Sequence, residues 1–397
     1  MSGPLSGIKV VELAQIMAGP TCGMLLADMG ADVIKVEKIP GGDDTRSYSE
    51  PSIAGESAAF MMLNRNKRGI AVNLKTPGGL EIVKKLLADA DVVTENYRKG
   101  TLEKLGLGYE TLSALYPRLV YCAVSGYGRT GPYADKGGFD LIAQGFAGLM
   151  SITGEPGGPP VKSGTSIADI NAGIFAALGI VSALVARGVT GRGQMVETSL
   201  MEAAIQQTYW QSAIYFATGV SPGPSGSAHI LTAPYQAFPT SDGWINIGGA
   251  NQSNWERIVK VIGRPELAAD PRFLTNGDRM RNLAALTPLI AERLRARPSA
   301  DWVREFEAAG VPVGPVNTIG QMLADPQVAA REMVVEVEHA KAGRMKALGL
   351  PIKFSETPGA VTRGAPTFGQ HTREVLAGLG YSDADVARLI AEGAVAA

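Results

Sequence analysis

The chain has 397 residues, enough for two domains with substantial cores. Its 37 basic and 38 acidic side chains nearly balance, so composition gives no indication of a nucleic-acid partner, and an anionic ligand needs a local basic cluster. The only cysteines, Cys22 and Cys122, exclude a disulfide scaffold and a cysteine-rich metal site, and we expect no metal.

In chain order, the first residues lead into a strand pattern without a signal-type sequence, and we expect no apolar run long enough to cross a bilayer. Composition therefore favours a soluble cytoplasmic protein with no membrane partner. Alternating strand and helix patterns then predict an α/β fold with a mostly parallel sheet and helices on both faces. The predicted strands are 8–13, 32–37, 70–74, 91–95 and 119–125, and the predicted helices are 20–29, 78–88, 141–151, 170–187 and 200–218.

A Gly/Pro/Ser-rich loop at 219–227 interrupts the pattern of predicted elements and predicts the start of a smaller domain. A Pro/Gly-rich stretch at 349–366 precedes a final pair of helices. The elements predicted in this half are strands 235–239 and 244–247 and helices 255–262, 283–295, 299–309, 372–379 and 383–392.

The first strand, glycine turn, helix and second strand ending in Glu37 have the outline of a dinucleotide-binding unit. The turn lacks the G-x-G-x-x-G pattern, and Pro20 stands where a backbone amide would bind pyrophosphate. Nicotinamide chemistry is therefore disfavoured, while the helix start remains a candidate neighbour of an anion.

Basic side chains recur at the predicted strand ends, which share one edge of an open parallel sheet. Together they predict an anion site, although each alone is compatible with ordinary solvated surface. The residues are Lys35, Lys38, Lys67, Arg68, Lys75, Arg98, Lys99 and Lys104.

A single carboxylate, Asp169, precedes the apolar stretch 174–185, which predicts a buried helix. An acid at such a junction can cap the helix or interact with its positive end. It can also be a nucleophile. The residues alone leave both roles open.

Several segments, in this order and spacing, resemble the class III (CaiB/BaiF type) CoA-transferases over essentially the whole chain. The segments are 5–13, 18–20, 25–37, 66–69, 95–98, 164–173, 191–194 and 369–372. The resemblance implies a Rossmann-like large domain, a smaller α+β domain and a homodimer of two interlocked chains. The implied boundaries are 1–200 for the large domain, 201–224 for a linker, 225–330 for the small domain, 331–352 for a second linker and 353–397 for helices returning to the large domain.

The resemblance implies that Asp169 attacks an acyl-CoA thioester and that Asp140 and Gln15 support it. CoA or acyl-CoA is then a substrate, and aspartyl anhydride and aspartyl-CoA thioester are intermediates. The acids exchanged are expected to be short and dicarboxylic or hydroxylated. Arg46 and Arg65 are candidate partners of a second carboxylate, and equally candidates for structural or CoA-binding roles. The implied CoA contacts are Ile16, Ala18, Lys38, Val72, Asn73, Leu74, Lys75, Asn96, Tyr97, Arg98 and Lys104.

Two positions depart from relatives within this resemblance. Met17 stands where formyl-CoA transferase has a glutamine, and Phe139 stands where α-methylacyl-CoA racemases have a proton-carrying histidine. The alternatives are a racemase-like isomerase, which Phe139 disfavours, and a non-catalytic CoA-binding protein, which the intact Asp169 motif disfavours. The loop 222–229 is a candidate lid, and its His229 is a candidate site residue.

Overall fold

The structure is a computed structural model that describes residues 3–48 and 50–397. Its strands are Lys9–Leu13 (β1), Asp32–Glu37 (β2), Ser52–Ile53 (β3), Glu56–Ser57 (β4), Arg68–Val72 (β5), Val92–Glu95 (β6), Val120–Ser125 (β7), Met195–Ser199 (β8), Tyr235–Pro239 (β9), Trp244–Gly248 (β10), Val313–Pro315 (β11), Val334–His339 (β12), Gly343–Leu348 (β13) and Val395–Ala396 (β14).

The α-helices alternate with the first strands and dominate the middle of the chain. They are Ala18–Asp28 (α1), Ala58–Leu63 (α2), Pro77–Ala88 (α3), Thr101–Lys104 (α4), Tyr109–Leu115 (α5), Asp140–Phe146 (α6), Leu149–Ile152 (α7), Ile167–Thr190 (α8), Leu200–Ile205 (α9), Tyr209–Thr218 (α10), Gln252–Val261 (α11), Asn276–Arg281 (α12), Leu283–Leu294 (α13), Ser299–Ala308 (α14), Ile319–Leu323 (α15), Pro326–Ala330 (α16), Thr372–Gly378 (α17) and Asp383–Ala391 (α18). Short 3-10 helices span Asp44–Ser47, Gln206–Thr208 and Pro265–Ala268.

The described chain divides into two compact units. The larger contains residues 3–149, 163–208 and 326–397, and the smaller contains 150–162 and 209–325. The larger unit thus draws on both ends of the chain.

A seven-stranded sheet in the order β14-β5-β2-β1-β6-β7-β8 forms the centre of the larger unit. Six strands are parallel, and β14 pairs antiparallel with β5. Taken in chain order, the parallel strands follow the 3-2-1-4-5-6 sequence of doubly wound sheets, with β1 at the reversal point. The predicted α/β class with a parallel-dominated sheet is confirmed.

Apolar side chains explain which helices cover one face of this sheet. Buried residues of α3, such as Ile82 and Leu86, pack in one core with residues of α17 and α18, such as Leu376 and Leu389. Because the pattern of these strands is apolar on both faces, helices must cover both. The hairpin β12–β13 contributes to a separate small core that includes Phe60 and Met61 of α2.

The smaller unit has a three-stranded antiparallel sheet in the order β11-β10-β9. Its core contains Trp255 of α11, Trp302 of α14 and Phe238 of β9, all of them buried. One face of the sheet is apolar, and the alternation along β10, exposed Trp244 followed by buried Ile245, is that of a half-covered strand.

Helix α8 is 24 residues long and, by length and composition alone, apolar enough to cross a membrane. This corrects the expectation that no apolar run reaches that length. A single such helix is weak evidence, because core helices of soluble proteins pass the same test. In this structure α8 packs against α1, α9, β7 and β8.

Some element predictions need correction. The helix predicted over 141–151 breaks at Gly148, whose φ of 81° is left-handed, into α6 and α7. The helix predicted over 200–218 is interrupted by the 3-10 turn at Gln206–Thr208. Strand β8 was not predicted, because it is short and only partly buried.

Candidate active site

A cavity of about 390 Å³ opens at the carboxyl ends of β1, β6 and β7, within the larger unit. The strand order reverses at β1, and this is where open α/β sheets bind ligands. The lining residues are Gln15, Ile16, Met17, Ala18, Asp44, Asn96, Tyr97, Arg98, Lys99, Thr101, Val124, Ser125, Gly126, Arg129, Ala134, Asp135, Lys136, Gly137, Gly138, Phe139, Asp169 and Leu200.

The loop after β1 is held in a defined conformation. The Gln15 backbone N–H donates to Asn96 Oδ1 over 2.9 Å, and Asn96 Nδ2 donates back to the Gln15 carbonyl over 2.8 Å. Ile16 has a left-handed φ of 66°, which is strained for a β-branched residue, and its N–H donates to Asp43 Oδ1. These bonds fix the loop to Asn96, which directly follows β6, and to Asp43.

Four fully buried charges lie beneath this loop, and we call Glu12, Lys35, Asp43 and Lys67 the buried ion cluster. Lys35 Nζ contacts Glu12 at 3.0 Å and Asp43 at 2.8 Å. Lys67 Nζ contacts the other oxygen of Glu12 at 2.8 Å. Two cations thus balance two anions, which is what burial of charge requires.

The buried ion cluster also binds the loop's backbone. Lys35 Nζ donates to the Ala14 carbonyl over 2.8 Å, and Lys67 Nζ donates to the Pro20 carbonyl over 2.9 Å. Burial lowers the pKa of Lys67 to about 8 despite the opposing charge of Glu12. For Asp43, burial acts to raise the pKa, but the charge and hydrogen bond of Lys35, together with the N–H groups of Thr45 and Ile16, lower it overall. The cluster therefore anchors both ends of the 14–20 segment.

Close helix packing brings Asp169 to the cavity. A Cβ at Gly173 would stand 2.7 Å from the Ala18 carbonyl oxygen, so only glycine lets α8 lie this close to the start of α1. Asp169 lies one turn earlier on α8 and lines the cavity. The spacing of Asp169 and Gly173 thus has a packing reason.

Asp169 occupies the first turn of α8 and is partly buried. Ser166 is the N-cap residue, so the interpretation of Asp169 as the cap is wrong. In the described part of the chain, no cationic side chain lies within ion-pair distance of its carboxylate. Burial, followed by the nearby charge of Asp140, raises the pKa of Asp169 to about 7.

Asp140 caps α8 from a different helix. Its Oδ1 accepts from the Ala168 N–H over 2.9 Å and from the Asp169 N–H over 3.5 Å. Asp140 is itself the first residue of α6, after the N-cap residue Phe139. The two carboxylates thus share the positive end of one long helix.

A second acid near the cavity has a partner. Arg129, which lines the cavity, contacts Glu95 at 2.8 Å and also pairs with Glu103. Burial raises the pKa of Glu95 to about 7, although the charge of Arg129 opposes the shift. Arg129 was not predicted from sequence, but the rule that strand ends meet at the site points to the segment after β7 that contains it.

Six of the predicted CoA and supporting residues line the cavity together with Asp169. They are Gln15, Ile16, Ala18, Asn96, Tyr97 and Arg98. The other seven lie outside its lining. Asp140 caps α8, Lys38 ion-pairs with Asp44 and contacts Gln15 Oε1 at 3.4 Å, and Lys104 ends α4. On and after β5, Val72 is buried, Asn73 binds the Gly393 carbonyl, Leu74 packs against the sheet core, and Lys75 donates its N–H to Asn73.

Several basic residues singled out from the sequence have structural roles. Lys35 and Lys67 belong to the buried ion cluster, and Arg68 pairs with Asp32 and Glu374. The predicted anion site therefore does not include these three. Nearby in the cavity wall, Lys99 and Lys136 are cations that the site does contain.

Arg46 and Arg65 were offered as partners of a substrate carboxylate or as structural residues. Arg46 makes a two-point contact with Glu37 and lies 3.6 Å from the centre of the Phe60 ring. Arg65 is buried and donates to Asp28. Neither lines the cavity, so the structural role holds for both.

Phe139 is largely exposed, at 67%, and lines the cavity at the start of α6. The smaller unit holds the candidate lid, where the Gly226 N–H donates to the Gly154 carbonyl. There His229 lies edge-on to the rings of Trp210 and Tyr235. Among residues 3–48 and 50–397, no group of three or more metal-ligating side chains is assembled.

Comparison with known proteins places this geometry in a family. The profile of CoA-transferase family III matches residues 5–372. The chain is 41% identical over 382 residues to a succinate–glutarate CoA-transferase of Agrobacterium fabrum, covering 95% of this chain and 96% of the relative. It is 37% identical over 393 residues to the human succinyl-CoA:glutarate CoA-transferase, covering 99% of this chain and 90% of the relative.

A solved structure agrees with this match. The crystal structure of a CaiB/BaiF family protein from Brucella suis is 42% identical in sequence, with a TM-score of 0.86. The match covers 96% of this chain and 100% of that one. The chain belongs to CoA-transferase family III, and the protein is a CoA-transferase.

Proposed function

We propose that the protein exchanges CoA between an acyl-CoA thioester and a short dicarboxylic acid, with Asp169 as the nucleophile. The observation that carries the proposal is a carboxylate that lines a cavity at the reversal point of the sheet and pairs with no cation of residues 3–48 and 50–397. Relatives named for succinyl-CoA and glutarate, and another named for succinyl-CoA and D-citramalate at 39% identity, favour dicarboxylic substrates.

The reaction begins when an Asp169 carboxylate oxygen attacks the thioester carbonyl. A C–O bond forms, the C–S bond breaks, and CoA thiolate leaves behind an acyl-aspartyl anhydride. The thiolate attacks the aspartyl carbonyl, which frees the donor acid as carboxylate and leaves aspartyl-CoA thioester. Each step trades one activated acyl bond for another, so no external energy source is required.

The acceptor carboxylate then attacks the aspartyl-CoA thioester and expels thiolate a second time. The new anhydride joins the acceptor acid to Asp169. Thiolate attacks the acceptor's carbonyl, producing the new acyl-CoA and restoring the Asp169 carboxylate. A carboxylate nucleophile suits this cycle because its anhydride and thioester both remain reactive towards thiolate.

The surroundings of Asp169 fit this role. A pKa of about 7 makes the carboxylate a better nucleophile than an ordinary aspartate, while leaving a large ionised fraction at neutral pH. The first turn of α8 supplies partial positive charge. Phe139 in the cavity wall cannot take up or release a proton, which argues against racemase-like chemistry.

We propose that CoA binds with its phosphates among the basic residues at the sheet's carboxyl edge. Arg98 and Lys99 line the cavity, and Lys38, Lys75 and Lys104 are placed on loops or helix ends after neighbouring strands. Arginine suits phosphate because its planar fork donates twice. Asn96 and Gln15, which bind each other, would fix the loop that faces the thioester.

We further propose a cytoplasmic homodimer. Along one face of α8, the apolar side chains Ile174, Leu178, Val185 and Val189 are exposed by 44% to 89%. Their spacing of four, seven and four residues forms one stripe. A contiguous exposed apolar stripe on a long helix is typical of a subunit interface. Light scattering would show the dimer, and Leu178→Glu should weaken it.

Substitution of the nucleophile tests the proposal. Asp169→Ala should lower turnover at least ~10⁴-fold, because the covalent route is lost. CoA binding by calorimetry should persist, since the phosphate contacts remain. Exchange of labelled CoA into succinyl-CoA in the presence of glutarate is the activity to measure.

A matched control is Asp383→Ala, which removes an exposed acid in the first turn of α18 and should leave activity unchanged. Hydroxylamine should inactivate the wild-type enzyme only after acyl-CoA is added, and mass spectrometry should find a hydroxamate at Asp169. Turnover near the wild-type rate in Asp169→Ala would rule the mechanism out.

A further inference from the structure

A buried amide, that of Gln144, contacts the carboxylate of Asp140 near the proposed nucleophile. Gln144 on α6 is fully buried, and its Nε2 donates to Asp140 Oδ2 over 2.6 Å. The other oxygen of Asp140 accepts from the N–H groups of Ala168 and Asp169. Gln144 is thus one hydrogen bond away from the carboxylate that holds the start of α8.

The same amide also holds the segment that leads into α8. Gln144 Oε1 accepts from the Ser163 N–H over 2.8 Å, and Nε2 lies 3.4 Å from the Thr165 carbonyl oxygen. Both ends of the amide are therefore used. Turning it over would set its oxygen against the Asp140 carboxylate, so the contacts define one orientation.

The position of Asp140 matters because it is the charged neighbour that acts on Asp169. Three N–H donors, two from the α8 backbone and one from Gln144, face the Asp140 carboxylate. Hydrogen bonds to a carboxylate stabilise its ionised form and fix its direction. Loss of the Gln144 donor would free one oxygen of Asp140 and change the field at Asp169.

We propose that Gln144 is a positioning residue for the nucleophile. It holds the Asp140 carboxylate in one orientation on the α8 N-terminus, and it fixes the 163–165 segment from which α8 begins. This inference rests on the proposed role of Asp169. It concerns a residue that touches neither CoA nor the acyl group.

The test compares Gln144→Glu with Gln144→Met. Gln144→Glu replaces the donor with an oxygen facing Asp140 and adds a like charge, which raises the pKa of neighbouring acids. We expect kcat to fall about 10- to 100-fold. The acidic limb of the kcat/KM profile should move up by about one pH unit. Gln144→Met, similar in shape but without a donor, should lower kcat with a smaller shift of that limb.

Asp140→Asn should shift the pH profile in the opposite direction. It removes the charge that acts on Asp169, so the acidic limb should move down. Gln207→Glu is the matched control, because it makes the same change at an exposed glutamine of the same unit, and it should leave both readings unchanged. Affinity for CoA, measured by calorimetry, should change less than twofold in all four variants.

The outcomes separate cleanly when Asp169→Ala is measured beside them. An active Asp169→Ala overturns the proposed function itself. With Asp169→Ala inactive, a Gln144→Glu enzyme with kcat within twofold of wild type and an unmoved pH profile overturns only the role of Gln144. A loss of kcat that matches the loss of folded protein, seen by circular dichroism, also overturns it, since that marks a structural role. Should neither Gln144 variant fold, an unshifted or upward-shifted limb in Asp140→Asn decides against the inference.

Discussion

Two groups of carboxylates lie near the cavity, one beneath the loop after β1 and the other at the start of α8, and their surroundings differ. In the buried ion cluster, Glu12 and Asp43 are matched by two lysines. The Asp140 carboxylate accepts from two backbone N–H groups and one amide, and no cation of the described residues pairs with Asp140 or Asp169. The matched acids support a backbone loop, whereas the unmatched pair includes the proposed nucleophile. Pairing with lysine therefore distinguishes the acids that hold the loop from the pair that includes the proposed nucleophile, although all four residues are Asp or Glu.

The largest expected effect comes from removing one lysine of the buried ion cluster. Lys67→Met leaves Glu12 with one cation and removes the bond to the Pro20 carbonyl. Removing one partner of a buried pair costs about 3–5 kcal/mol. Urea unfolding should show this loss, and CoA affinity should fall because the 14–20 segment loosens.

The control for this change is Lys9→Met, which removes a lysine from the exposed pair with Asp89. Exposed pairs contribute at most ~1 kcal/mol, so its unfolding midpoint should stay close to that of the wild type. Equal losses in the two lysine variants would show that burial does not distinguish the two sites.

An effect of intermediate size is expected on stability when Asp169 is replaced. The pKa of Asp169 is raised from its ordinary value of 3.8 to about 7, so folding disfavours its ionised form. The associated stability is fully present below pH 4 and is lost as the pH rises through about 7. Asp169→Asn should therefore be more stable than the wild type above pH 7, by about 4 kcal/mol, and nearly equal to it at pH 4.

Thermal unfolding at pH 4, 6 and 8 measures this difference. Asp43→Asn is the informative comparison, because the pKa of Asp43 is lowered and its loss should destabilise the protein at neutral pH. If both substitutions changed stability in the same direction at pH 8, the contrast between the two groups would be wrong.

The smallest effect is on the rate profile of the unmodified enzyme. In the proposed mechanism only ionised Asp169 attacks the thioester, so kcat/KM should rise about tenfold per pH unit below the pKa and level off above about pH 7. Initial rates with succinyl-CoA and glutarate between pH 5 and 9 measure it. A limb near pH 4 would show that the carboxylate is not perturbed in the free enzyme.

Much of the sheet is predictable from sequence, because its central strands are continuous apolar runs with turn residues between them. Strands β8 and β14 were not predicted. Strand β8 is polar and partly exposed at the edge, and the two residues of β14 are a strand only because β5 lies beside them. Tertiary pairing, which a local pattern does not contain, decides both cases.

At the site, Asp169 and the β1 loop residues were predicted by resemblance, and the cavity brings them together. The roles of Lys35 and Lys67 could not be predicted, because a lysine near a strand end is ordinarily solvated. Their burial depends on Glu12 and Asp43, which lie on other segments and meet the lysines only in the folded chain. Arg129 and Gln144 act through contacts with other side chains, and no local motif marks them.

The antiparallel strand β14 has a consequence for biosynthesis. Val395 pairs with Val72, so 323 residues (395 minus 72) must be made after β5 before its outer edge is covered. At roughly 5–20 residues per second, the ribosome needs about 15–65 s for that length. During this interval β5 has an open edge, where another chain can add a strand. The β5 edge at Ala71 and Val72 therefore stays without its strand partner until translation is nearly complete.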